Sequence, residues 1–456
     1  MTRQRVPVTP PVVLSIAGSD SGGGAGVQAD LKTIEASGGF GTTAVTSVTA
    51  QHTRGVRSTH VLPRAEIRAQ CEAVFGDFEV GAVKTGMLAT SDVVHLVTEQ
   101  LRKRDVPAVV DPVMVAASGD RLLDAGAEDA YEALLAESTV VTPNADEATV
   151  LTGVEVTDTE TAEEAGTELV GMGAEAALVK GGHLPGDDVV DVLVTDTGVD
   201  TIRHPRVDTE ATHGSGCALS AAVATHLAAG AELSSAVDAG VDLLSRAVRY
   251  GLDVGEGPGP VHHVVELRDR AARQPTAEAV EGVVERFVDE DVSRLVPEVG
   301  MNVAGATPYA ERPDETAAVE GRITRTLSGV SPNRGVRFGA SSHVARFLLA
   351  AREFDPALQF AVNCRFDDDV EQALDSLPWS VVEYDRSSEP ETVKQSDGST
   401  MQWGARRAFT AADGTPAAVM DRGDVGKEAI VKLLAPDART LGDRTLELLC
   451  ALPEES

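Results

Sequence analysis

The chain reads as an α/β protein: a doubly wound sheet with helices on both faces, followed by a second unit that also mixes strands and helices. Three observations predict this. Short β-branched runs alternate with amphipathic helical stretches through the first half. The Gly-rich and polar motifs each follow one of those runs, which puts them beyond the carboxyl ends of the strands, where open α/β sheets bind ligands. And 456 residues exceed what one hydrophobic core serves, so two domains are expected.

In order, Val12–Ala17 reads as a buried strand and Ala29–Ser37 as a helix. Thr43–Ala50, Ala82–Lys84, Ala108–Val110, Thr139–Thr142 and Ala176–Lys180 read as further strands, and Ala218–Ala229 as an alanine-rich helix. The Gly/Pro-dense segment 251–260 closes the first unit. A charged helical stretch follows. The later part offers strands at Gln359–Asn363, Ser380–Tyr384 and Ala417–Met420, and helices at Ser342–Glu353 and Val370–Leu377. The expected division is a first domain over 1–267, a linker over 268–284 and a second domain over 285–456.

The formal net charge of -33 is spread along the chain, and Lys is scarce. Such a surface repels nucleic-acid phosphates and anionic membranes, so neither is an expected partner. The composition is like that of halophile proteins. Self-repulsion on this scale weakens the compact state until salt screens it. The melting temperature is therefore expected to climb from dilute buffer to molar KCl; a flat profile would contradict this. Cys71, Cys217, Cys364 and Cys450 form no C-x-x-C pair, so neither a disulfide framework nor a zinc site is expected. With no apolar run near the ~20 residues of a membrane span and no signal-like start, the expectation is a soluble cytoplasmic protein.

The segment Thr212-His213-Gly214-Ser215-Gly216-Cys217 precedes the alanine-rich helix. Unpartnered N–H groups at a helix start, with the helix dipole behind them, make an anion hole of Gly214, Ser215 and Gly216. Cys217 falls in the first turn, where the same field lowers a thiol pKa. An anion hole beside a proton acceptor suits phosphoryl transfer to an alcohol. The alternative is a Gly-rich turn with a buried cysteine serving as a small hydrophobe. Asn144 and Glu147 stand three apart at a helix start, where they can face one site or form a helix cap. Lys180 ends a strand ahead of two glycines and is placed to meet a phosphate, or to be an ordinary strand-end lysine.

The ordered set GSDSGGGAGVQADLKT, TAQHTRGV, KTGML, DPVM, TPNADEA, VKGGH and THGSGC, closed by GPGPVHH, resembles the hydroxymethylpyrimidine/phosphomethylpyrimidine kinases of the ribokinase-like superfamily, over about residues 12–265. The resemblance implies a ribokinase-like sheet. It also implies two ATP-dependent phosphorylations of 4-amino-5-hydroxymethyl-2-methylpyrimidine, and a pyrimidine surrounded by Gly18, Asp30, Gln51, Met87, Val113 and Cys217. It further implies Mg²⁺ held through water by Asn144 and Glu147, and possible pairing into a homodimer. An amide such as Gln51 offers the donor and acceptor that a 4-aminopyrimidine edge needs. The alternative is a pyridoxal-type vitamin kinase with a C-terminal ligand-sensing domain.

The later segments, among them Gly321-Arg322-Ile323, Ser341-Ser342-His343 and Tyr384-Asp385-Arg386, resemble the archaeal-type thiamine phosphate synthase domain (ThiN) over about residues 285–450. That implies a three-layer α/β/α domain joining the pyrimidine diphosphate to thiazole phosphate. Arg322 and His343 would be catalytic, with Arg346, Arg386 and Lys427 as secondary phosphate contacts.

Overall fold

A computed structural model describes residues 7–114, 130–394, 399–424 and 427–453. The chain divides into two compact units, Met1–Glu266 and Leu267–Ser456.

The first unit is built on an eight-stranded sheet, in the spatial order Gly198–Pro205, Asp188–Thr195, Ala176–Val179, Val140–Val141, Ala108–Val110, Val80–Thr85, Val12–Ala17, Phe40–Val45. The six strands from Ala176–Val179 to Phe40–Val45 run parallel, and the first two add an antiparallel edge. The interior strands are nearly continuous apolar runs because helices cover both of their faces. On one face Ile67, Val93, Leu96, Val97 and Tyr131 come from helices Arg64–Asp77, Ser91–Leu101 and Tyr131–Leu135. On the other, Ile34, Leu219, Val223, Val237 and Val241 come from helices Gly26–Ala36, Ser215–Ala228 and Leu233–Arg249.

The single strand expected over Thr43–Ala50 is in fact two. The sheet strand ends at Val45, and Ser47–His52 pairs instead with Gly55–Val61 in a separate hairpin. Thr46 makes the break. It is fully buried, its N–H donates to Ala17 and its hydroxyl donates to the Met87 carbonyl at 2.7 Å, so the chain is tied across the sheet edge there.

Residues 268–284 lie within one helix, Val265–Asp289, and Val280, Val283, Val284 and Phe287 pack into the core of the second unit. That unit holds a seven-stranded sheet in the order Val336–Phe338, Thr316–Val319, Val303–Ala306, Phe360–Arg365, Ile430–Ala435, Ala418–Asp421, Val381–Tyr384. All neighbours are antiparallel except the last pair. Helices His343–Arg352 and Ser399–Ala411 contribute Phe347, Leu348, Ala405 and Phe409 to the core on one face; Val370, Leu374, Leu441 and Leu448 of helices Asp368–Ser376 and Ala438–Ala451 fill the other. This is a three-layer α/β/α arrangement. Among the described residues, no helix is long and apolar enough to cross a membrane.

Candidate functional site

Five of the six parallel strands of the first unit deliver site residues to one edge. Gly18 follows Val12–Ala17, Gly86 and Met87 follow Val80–Thr85, Asp111 follows Ala108–Val110, Asn144 follows Val140–Val141 and Lys180 follows Ala176–Val179. They open onto a cavity of about 700 Å³ whose wall also holds Gln51, Val113, Glu147, Gly214, Ser215, Gly216 and Cys217.

The Gly-rich loop is organised from within. Asp20 is buried, and its carboxylate accepts the amides of Gly22, Gly24 and Ala25 at 2.8–2.9 Å and faces His213 Nε2 at 3.2 Å. Burial works against its charge, but His213 and those amides outweigh it and hold Asp20 below the usual carboxylate range. The Gly22, Gly24 and Ala25 amides are thus committed to Asp20. Ser21 staples the loop to the hairpin by accepting the Gln51 N–H and donating to the Gln51 carbonyl, both at 2.8 Å. This sets Gln51 over the cavity.

Gly214 caps the helix Ser215–Ala228 with φ +82°, and a Cβ there would collide with the Gly24 carbonyl, so only glycine serves. A Cβ on Gly216 would meet Lys180 Nζ at 3.1 Å and Asp111 at 3.4 Å, so the helix start lies directly against these charges. Cys217 is the third residue of the helix. The thiol does not follow the expectation of a lowered pKa. Burial pushes it up to about 11, and the opposing pull of Lys84 and the Gly26 amide is too small to reverse this.

Lys180 stands 3.2 Å from Asp111 and 4.0 Å from Glu147. Burial disfavours its charge, yet Asp111 and Glu147 hold its pKa above the usual value. Burial, helped by Asp111 and opposed by Lys180, lifts Glu147 to about 7. Asn144 and Glu147 form a reciprocal capping box, the Asn144 oxygen accepting from the Glu147 N–H and the Glu147 carboxylate from the Asn144 N–H, each at 2.9 Å. Asp30, expected against the pyrimidine, lies behind the wall instead. It is fully buried, bonded to Ser15 at 2.6 Å and to Lys84 at 2.8 Å, and Lys84, equally without exposed surface, is the member of the pair that borders the cavity.

The second unit has its own cavity, of about 550 Å³, lined by Arg322, His343, Arg386 and Lys427 together with Asp421 and Lys432. Arg346 is half-buried on the helix that His343 begins and does not line the cavity. Asp421 is the hub of the floor: it accepts from Tyr384 and from Arg386, each at 2.6 Å, and faces Lys432 at 3.8 Å. Lys432 lies over the rings of Phe347 and Tyr384. Burial, with Arg386 adding to it and Asp421 opposing, brings its pKa down to about 8. Arg322 sits in the left-handed region at φ +76°, where its guanidinium donates to the Val299 carbonyl.

Residues 20–262 match the family model for phosphomethylpyrimidine kinase, more than half of the chain. The chain belongs to the phosphomethylpyrimidine kinase family. Residues 279–447 match the model for the thiamine-phosphate synthase ThiN, which places that domain in the second unit. A hydroxymethylpyrimidine/phosphomethylpyrimidine kinase of Streptomyces coelicolor is 48% identical over 264 residues, covering 58% of this chain and 98% of that protein. The bifunctional thiamine biosynthesis protein ThiED of Geobacter sulfurreducens is 42% identical over 274 residues, covering 59% of this chain and 56% of that protein. Among solved structures, the Staphylococcus aureus pyridoxal kinase in complex with AMP-PCP and pyridoxal aligns with a TM-score of 0.53 and 30% identity, over 57% of this chain and 96% of that one.

Within this kinase family member, several site residues escaped the sequence reading. Asp111 opens the DPVM motif directly after a strand, yet only its neighbour Val113 stood out. Lys84 read as a strand residue, and the strand Ile430–Ala435 that carries Lys432 was not picked out. Their signal was a lone lysine inside an otherwise apolar run, which an interior strand accommodates only beside a carboxylate.

Proposed function

We infer that the first unit phosphorylates 4-amino-5-hydroxymethyl-2-methylpyrimidine with ATP, first at the alcohol and then at the resulting monophosphate, and that the second unit condenses the diphosphate with thiazole phosphate to give thiamine phosphate. The observation that carries this reading is the meeting of Gln51, Lys180 and Cys217 in one cavity at the carboxyl edge of the parallel strands. The family match and the kinase solved with AMP-PCP support ATP as the donor.

In the first reaction the ring lies against Gly18, Met87 and Val113, and the Gln51 amide pairs with its amino-pyrimidine edge. The amides of Gly214–Cys217 hold the migrating phosphoryl oxygens at the helix start, and Lys180 offsets their charge. Cys217 Sγ, as the thiolate, takes the alcohol proton as the oxygen–phosphorus bond forms, and the bridging oxygen–phosphorus bond of ATP breaks to release ADP. For a divalent cation the donor set fits in a limited way: Glu147 and Asp111 present two carboxylates beside Lys180, which suits Mg²⁺ bound largely through water. Among the described residues no group of three or more His, Cys, Asp or Glu is placed to hold a metal directly. Mg²⁺ there would neutralise the donor phosphates.

In the second reaction the thiazole nitrogen forms a bond to the pyrimidine methylene carbon as the carbon–oxygen bond to pyrophosphate breaks. Arg322, His343, Lys427 and the pair Arg386 and Lys432 surround the cavity where the leaving group would rest. Lys432 loses its proton through about pH 8, so thiamine phosphate formation is expected to fall above that pH. Lys432→Arg is expected to abolish the fall, since a guanidinium stays charged. An unchanged pH profile in that variant would count against the role of Lys432. The acidic composition supports a cytoplasmic protein of a salt-rich cell.

A second reading, pyridoxal phosphorylation, is favoured by the solved pyridoxal kinases that share the fold at 30–33% identity. A kinase assay with both alcohols in competition separates the two. Preference for the aminopyrimidine is expected, and preference for pyridoxal would overturn the first assignment.

A further inference from the structure

Two opposite charges without access to solvent lie behind Cys217. Lys84 and Asp30 have 0% exposed side chains and stand 2.8 Å apart, and the Ser15 hydroxyl fixes the second Asp30 oxygen at 2.6 Å. Lys84 sits in the interior strand Val80–Thr85, where its charge has to be desolvated. A buried ion pair is commonly no more stabilising than apolar residues of the same volume. Stability alone therefore gives no reason for this one. Its position does: Lys84 and Cys217 line the same cavity. A Cβ on Gly86, which lines that cavity too, would come within 3.0 Å of Lys84 Nζ, so the ammonium lies directly under the backbone of the cavity wall.

We propose that Lys84, held in place by Asp30, is a positioning residue that supplies the counter-charge for the Cys217 thiolate in the alcohol-phosphorylating step. This rests on the reading of Cys217 as the proton acceptor. In that step the alcohol proton moves to Sγ, the alcohol oxygen bonds to phosphorus and the bridging oxygen–phosphorus bond of the donor breaks; Lys84 stays protonated throughout. The charged groups that act on the thiol are Lys84 and Lys180 on one side of the balance and Asp30 and Asp111 on the other. Lys180 is engaged by Asp111 and Glu147. Burial disfavours the charge on Lys84, but Asp30, Cys217 and Asp111 together raise its pKa.

The test uses the full-length chain and iodoacetamide, with the alkylation rate of Cys217 at pH 8 read by mass spectrometry of its peptide. Below the thiol pKa, the rate follows the thiolate fraction. Lys84→Met leaves Asp30 to take up a proton and removes the counter-charge, so alkylation is expected to slow at least about tenfold, one pH unit of thiol pKa. Asp30→Asn cuts the same ion pair but leaves Lys84 free to pair with the thiolate, so alkylation is expected to quicken by about tenfold. Lys84→Arg keeps the charge and is expected to stay close to the parent rate. A purely structural ion pair would move Lys84→Met and Asp30→Asn in the same direction, and that result, or no change in either, overturns the proposal. If Lys84→Met opens the fold, the buried Cys71 becomes alkylated as well. The Arg and Asn variants then decide by the same criteria. Failure of the underlying reading shows elsewhere: a Cys217→Ala enzyme that phosphorylates the alcohol at close to the parent rate removes the proton-acceptor role while leaving the alkylation rates as measured.

Discussion

Cys217→Ala is expected to slow phosphorylation of the pyrimidine alcohol by about 10²–10⁴-fold, the usual worth of a positioned general base, and to leave phosphorylation of the monophosphate within about threefold. The difference comes from the nucleophile. An alcohol oxygen has to shed its proton as it attacks, whereas a phosphate oxygen is already anionic. The height of the thiol pKa adds a second signature. With Cys217 pushed up to about 11 by burial, only a small thiolate fraction exists at neutral pH. The base form grows with pH, so kcat/KM for the alcohol is expected to rise about tenfold per pH unit between pH 7 and 9 in the parent enzyme. The monophosphate step is expected to lack that slope, and Cys217→Ala to erase it from the alcohol step. Steady-state kinetics with the two substrates supplied separately provide the check. Equal loss in both steps would assign Cys217 to substrate packing instead.

Lys180→Met is expected to cost both phosphorylations alike, by about 10²–10³-fold, the range seen when one group stabilising the transition-state charge is removed. Two effects add. The cation beside the helix start is gone, and Asp111 and Glu147, which it neutralises at 3.2 and 4.0 Å, are left to repel the incoming phosphates. Burial already lifts Glu147 to about 7, and loss of the lysine is expected to lift it further, shifting the loss in activity towards higher pH where Glu147 becomes charged. Lys180→Arg is expected to recover part of the rate. Sparing of one of the two steps would show that Lys180 serves a substrate and not the transferred group. The contrast between Cys217, which divides the two reactions, and Lys180, which unites them, follows from one geometry: Gly216 lies against Lys180 and Asp111, while Cys217, one residue on, is acted on by Lys84 and Asp30.

The parallel half of the first sheet was legible because its strands are short apolar runs of β-branched residues with no competing helical period. Val12–Ala17 and Ala108–Val110 have the expected limits. The antiparallel edge was not: Gly198–Pro205 is largely exposed and offers no apolar run to pick out. In the second unit Val303–Ala306 and Thr316–Val319 are four-residue strands rich in small residues, which carry almost no periodic signal although every residue is buried. At the site, residue type and order along the chain were enough to bring Gln51, Lys180 and Cys217 together. Depth was the missing information. Asp30 sits one layer behind the wall, and Cys217 feels its burial more than the helix field. Arg346 shares a helix with His343 but not the cavity surface. The charges that tie each site together, Asp111 with Lys180 and Asp421 with Arg386, come from segments far apart in sequence, and only folding shows that they are partners.

The most direct measurement supplies the intact protein with the aminopyrimidine alcohol, thiazole phosphate, ATP and Mg²⁺ in molar KCl and follows thiamine phosphate. Product that appears only when both the alcohol and ATP are present, and that disappears in Arg322→Ala while the pyrimidine diphosphate accumulates, is the expected result. Consumption of ATP without thiamine phosphate, or turnover confined to pyridoxal, would contradict a chain that makes the activated pyrimidine in one unit and spends it in the other.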